Sequence, residues 1–107
     1  MDEQRLTIIT AQIKDFAMRL YQERLAGVVL FGSQARGEAG PDSDVDLLIV
    51  LRGAFRYYEE VRRIGEFISD LCLNHDVLVS CCFATEEQWL GEDTAFYRNV
   101  HRDGVVL

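Results

Sequence analysis

A chain of 107 residues with 18 acidic and 11 basic side chains, for a formal net charge of -7, has room for one domain with a real core. It is too short for a two-domain dinucleotide or nucleotide-sugar enzyme. Its acidic balance excludes broad electrostatic binding to nucleic acid, which needs a basic surface; it suits either a basic protein partner or plain solubility.

In chain order, the first element is a helix from Glu3 to about Leu25. Leu6, Ile9, Ile13, Phe16 and Leu20 recur at spacings of three and four, with charges between them. AGVVLF, 26–31, is a short β-branched run stopped by Gly32 and reads as a buried strand. Residues 33–43 form a loop, with room for one helical turn over SQAR. DVDLLIVL, 44–51, is a second strand, with Val45, Leu47, Ile49 and Leu51 on one face and Asp44, Asp46, Leu48 and Val50 on the other. A helix over 54–71 carries Val61, Ile64, Ile68 and Leu71 on one stripe. HDVLVSCCF, 75–83, is a third strand. A last helix spans 94–104, with Phe96, Tyr97 and Val100 on its apolar side and Gly104 as its stop. The closing VVL is either a short strand or a frayed tail. This order predicts an α/β fold: a small mixed β-sheet flanked by helices, in a single domain over 1–107.

The three cysteines, Cys72, Cys81 and Cys82, contain no Cys-x-x-Cys pair, which excludes a zinc-ribbon spacing. Buried thiols in a reducing cytoplasm are the expectation. MDEQRLTIIT opens acidic and lacks the apolar core of a secretion signal, and no apolar run reaches the roughly 20 residues of a membrane span.

The chemistry concentrates in GSQARGEAGPDSDVDLLIV, 32–50. Asp44 and Asp46 project from the same face of one strand, about 7 Å apart at Cβ from two rises of about 3.3 Å. Two ionised carboxylates this close repel each other and lose hydration against an apolar strand. A Mg²⁺ ion relieves both costs, since it takes one or two carboxylates and completes its shell with water and phosphate oxygens. The alternative is a pair at the strand's exposed mouth that caps loop amides. Gly32 and Ser33 weigh toward a ligand: they follow the carboxyl end of the first strand, where α/β sheets bind ligands, and glycine admits close backbone approach. Asp76, read as opening the third strand, brings a third carboxylate if that strand lies beside the second. Three acids at adjacent strand ends suit a two-metal site for in-line nucleotidyl transfer.

Two competing motifs fail. DSDVD imitates an EF-hand start, but Leu47 stands at the glycine position and Gly53 at the final glutamate position. GSQARGEA imitates a P-loop, but Glu38 stands where the lysine is required.

Gly32-Ser33, ten residues, Asp44-x-Asp46, then Asp76 on a later strand resembles the minimal nucleotidyltransferases of the polymerase-β-like superfamily, over nearly the whole chain. The resemblance implies the polymerase-β-like fold. It implies that Gly32 and Ser33 hold the triphosphate of ATP, that Asp44, Asp46 and Asp76 bind two Mg²⁺ ions, and that Asp76 helps activate the attacking hydroxyl. Members of this kind are often antitoxins that transfer AMP to a tyrosine of a HEPN ribonuclease toxin. The resemblance thus implies a cytoplasmic protein adenylyltransferase, with the toxin as partner in a hetero-oligomer. A binding module that neutralises its partner by contact alone is the rival; transfer to a small molecule ranks below it. Arg36 either touches a phosphate or pairs with Glu38 or Asp42, and Ser43 is a candidate to position the acid pair. His75, His101, Trp89, Phe96 and Tyr97 are expected outside the chemistry, the aromatics as core or partner surface.

Overall fold

A computed structural model describes residues 2–40 and 44–107. Helix α1, Glu3–Tyr21, starts where the Asp2 carboxylate accepts the Arg5 backbone N–H at 2.7 Å. A 3₁₀ turn over Gln22–Arg24 delivers the chain into strand β1, Leu25–Phe31. There follow a five-residue helix α2, Gly32–Arg36; strand β2, Val45–Leu51; helix α3, Tyr57–His75; and strand β3, Val79–Thr85. Helices α4, Glu86–Gly91, and α5, Ala95–Asp103, precede the two-residue strand β4, Val105–Val106.

The four strands form one mixed sheet in the order β3-β2-β1-β4. β1 runs antiparallel to β2 and to β4, whereas β2 and β3 are parallel and joined through α3. The expected α/β fold with a mixed sheet is the observed one. The closing Val105 and Val106 are a strand, paired with Leu30 and Val29.

Period-two alternation divides β2 as the sequence indicates. Val45, Leu47, Ile49 and Leu51 are all fully buried and pack with Ile9, Ile13 and Ala17 of α1 and Ile64 and Leu71 of α3. Phe16 and Phe67 stack at 4.0 Å between the ring centroids and tie the two helices together. Leu48 and Val50 face the other way, into a smaller cluster with Val29, Ala84 and Val100, covered by Trp89 and Tyr97.

Four expectations change. The first helix, expected to about Leu25, ends at Tyr21, and Leu25 opens β1 instead. Helix α3 runs on to His75, so the strand expected from 75 begins at Val79. Val61, expected on the buried stripe, is 41% exposed. Helix α4 was not expected; Thr85 caps it, accepting the Gln88 N–H while the Gln88 side chain accepts the Thr85 N–H. The Thr-x-x-Gln spacing was its signal in the sequence.

Candidate active site

β1 ends at Phe31, which pairs with Asp46 on the antiparallel β2. The next residue, Gly32, has φ +74°, which a residue with a side chain adopts only under strain. A Cβ at Gly32 would lie 2.5 Å from Asp46 Oδ2. Glycine is therefore required twice: for the turn out of the strand, and for the carboxylate seated against its Cα. Ser33 follows in the first turn of α2. Gly37, also at positive φ, closes that helix and returns its N–H to the Gln34 and Ser33 carbonyls. Gly32, Ser33 and Asp46 are thus gathered at one end of the sheet, with Asp44 exposed two residues before Asp46.

Burial, followed by repulsion from the Asp44 carboxylate, pushes the Asp46 pKa above the usual aspartate range; the Arg36 guanidinium partly offsets this. Arg36 therefore compensates the charge of the pair only in part. Arg36 itself pairs with Glu38, Nε to Oε2 at 3.1 Å, as one of the two expected roles has it. Ser43 and Asp42 lie outside the described residues.

Asp76 does not open a strand. It follows the last turn of α3 in a left-handed conformation, φ 50° and ψ 54°, three residues before β3. Aspartate tolerates this conformation better than most side chains, and the helix ends there by returning the Asp76 N–H to the Cys72 carbonyl. Among the described residues no three His, Cys, Asp or Glu side chains gather in a group able to hold a metal ion. The three-acid arrangement expected from the sequence is therefore not formed by Asp44, Asp46 and Asp76. The β3 residue in register with Asp46 is Ser80.

Both histidines have structural partners. His75 Nε2 lies 3.1 Å from Gln12 Oε1. His101 stacks on Trp89, with centroids 3.7 Å apart, and its Nε2 meets the Trp89 carbonyl at 2.7 Å, so it is anchored rather than simply solvated. Trp89 and Tyr97 pack on the smaller cluster, and Phe96 lies edge-on to Phe31 beside the site. The adjacent thiols of β3 are held protonated by their environment. Burial pushes Cys81 up to about 12 and, with the Asp46 charge nearby, Cys82 up to about 11.

The mixed sheet sets a Gly-Ser turn at the end of one strand beside an Asp-x-Asp at the start of its antiparallel neighbour, a candidate site for a nucleotide. The family model described as "Nucleotidyltransferase domain" matches residues 11–100. The chain belongs to that family and is a nucleotidyltransferase. It is 33% identical over 99 residues to the Methanocaldococcus jannaschii protein named "Putative protein adenylyltransferase MJ0604", covering 89% of this chain and 93% of that one. A second relative from the same organism, "Putative protein adenylyltransferase MJ0141", is 33% identical over 72 residues, 67% of this chain and 72% of its own. Among solved structures, a Sulfolobus solfataricus protein described as a "putative nucleotidyltransferase" superposes with a TM-score of 0.60 at 21% identity, over 96% of this chain and 76% of that one. A toxin–antitoxin structure with AMP-PNP superposes at 0.59 and 17% identity, over 99% and 72% of the two chains. These structural likenesses establish the fold.

Proposed function

We propose that this protein transfers AMP from ATP to a hydroxyl of a protein partner, and that the partner is a HEPN-type toxin silenced by modification of a tyrosine. The observation that supports the reading is the seat of Asp46, one acid of the pair, against Gly32 of the Gly-Ser turn. The relatives named as protein adenylyltransferases and the toxin–antitoxin structure that carries an ATP analogue support the acceptor and the nucleotide.

Gly32 and Ser33 receive the triphosphate through backbone amides and the serine hydroxyl. The residues present fit a divalent cation: Asp44 and Asp46 are two carboxylates whose mutual repulsion a cation relieves, beside a glycine with no side chain in the way. Mg²⁺ bound by Asp44 and Asp46 would supply charge neutralisation on the phosphates. Arg36, exposed at the same end, adds positive field there. The partner's hydroxyl attacks the α-phosphorus and gives up its proton to solvent, a new O–P bond forms, the bond to the bridging oxygen breaks, and pyrophosphate leaves with that electron pair.

Mass spectrometry of the partner after incubation with ATP and Mg²⁺ tests the reading. The expected result is a gain of about 329 Da per AMP on a tyrosine, lost in the Asp44→Asn, Asp46→Asn double variant. A partner that is silenced yet unmodified, by wild type and double variant alike, overturns it. That result would establish the rival, neutralisation by contact, which has one observation in its favour: no third carboxylate joins Asp44 and Asp46 among the described residues.

A further inference from the structure

Parallel strands β2 and β3 are in register from Val45↔Val79 to Leu51↔Thr85, so paired side chains share a face of the sheet. The burial confirms the parity. Leu47, Ile49 and their partners Cys81 and Phe83 pack with the α1/α3 core, while Leu48, Val50, Cys82 and Ala84 pack with the smaller cluster. By the same parity Ser80, the partner of Asp46, stands on the face of the acid pair, and it is exposed. One step further in, Cys82 pairs with Leu48 on this same face. Asp76 is four residues upstream of Ser80, beyond the strand and at the end of a helix.

In-line transfer with two metals uses ions about 3.5–4 Å apart, clamped by carboxylates that reach both. Neighbouring strands lie about 4.8 Å apart, so a carboxylate at position 80 would stand within one ion's span of Asp46. This chain offers a hydroxymethyl group there, neutral and one carboxyl shorter. A serine hydroxyl is a poor ligand for a hard divalent cation, which prefers charged oxygen.

We infer that Asp44 and Asp46 hold a single divalent cation with the nucleotide, and that Ser80 is the position that withholds the second. The chain therefore works as a one-cation transferase, slower than its scaffold permits, and a single substitution on β3 restores the missing ligand. The inference rests on the nucleotide-binding part of the function proposed above, and not on the identity of the acceptor.

The full-length protein is titrated with Mn²⁺ in the presence of a non-hydrolysable ATP analogue, and bound ions are counted by equilibrium dialysis and paramagnetic resonance. Wild type is expected to hold one Mn²⁺ per chain, with an uncoupled signal. Ser80→Asp is expected to hold two, with the spin-coupled signal of a close pair, and to transfer AMP at least tenfold faster, about 1.4 kcal/mol off the barrier. Ser80→Asn, close in size to aspartate but uncharged, keeps one, and Asp76→Asn keeps one. Two coupled ions in wild type overturn the inference, as does a well-folded Ser80→Asp that still binds one, or a lost ion in Asp76→Asn. If Ser80→Asp does not fold, the wild-type and Asp76→Asn counts decide. Wild type that binds one ion with nucleotide but modifies no protein overturns the proposed acceptor and leaves this inference standing. Wild type that binds no nucleotide overturns both.

Discussion

The two faces of the sheet differ in what they are built to do. The face toward α1 and α3 is closed: its β2 side chains are fully buried aliphatics, braced by two 19-residue helices and the Phe16–Phe67 stack. The opposite face is covered by the short α4 and α5 and grades from Val50 and Leu48 to Asp46 and Ser80 at its open end. One strand, β2, serves both. Its odd positions pay for the fold, and its even positions pass from packing to the proposed site within a few residues. Stability and reactivity are therefore separable here by residue parity, and substitutions should sort along that line.

The largest effect expected is on the open face. Asp44→Asn with Asp46→Asn should lower AMP transfer at least 1000-fold, about 4 kcal/mol of barrier, without loss of melting temperature; single-turnover rates and a thermal melt check both halves. The closed face should give the mirror image. Leu47→Ala should cost about 3 kcal/mol and lower the melting temperature by on the order of 15 °C, while the folded fraction keeps its metal affinity. Gly32→Ala tests the contact between the faces' common end and the turn. Its Cβ would meet Asp46 Oδ2 at 2.5 Å, so transfer should fall about 10–100-fold with a small change in melting. A loss of stability as large as that of Leu47→Ala would show that the turn is structural first. Thr85→Ala, which removes the cap of α4, should cost about 1 kcal/mol by denaturant titration.

The smallest effect has a definite sign. Asp46 has its folded-state pKa raised above the ordinary 3.8, so its ionisation opposes folding as pH rises from the ordinary value through the raised one. Asp46→Asn removes that opposition. Its melting temperature should exceed that of wild type by a few degrees at neutral pH, and the difference should vanish below the ordinary aspartate pKa. Equal melting at both pH values would mean that solvent already screens the Asp44–Asp46 repulsion.

The sequence made the divided strand plain, because alternation in DVDLLIVL is a direct print of the pleat. The Gly-Ser turn and its ten-residue spacing to Asp44 were equally plain. Asp76 was misplaced for a physical reason: Leu71–His75 continues the helical stripe of α3, and an aspartate in left-handed geometry ends a helix as readily as one opens a strand. Reading the strand from 75 rather than 79 assigned the third acid to β3 and hid Ser80, whose place is set by parallel register with Asp46, 34 residues away. Nothing local reports that pairing. The α4 capping box, by contrast, was written in Thr85 and Gln88 and was simply passed over.

The two-residue β4 has a consequence for the order in which the site is made. Val105 and Val106 lie along Leu30 and Val29, the Leu107 N–H donates to the Val28 carbonyl, and α5 immediately before them sets Val100 over the open face. During synthesis the Gly-Ser turn and the acid pair leave the ribosome more than fifty residues ahead of these fastenings. The closed face, built from α1, β1, β2, α3 and β3, can assemble during that interval, since chains fold from the N-terminus as they emerge. The nascent protein then carries its acids before it has the roof beside them, and β4 with α5 finishes the wall of the proposed site.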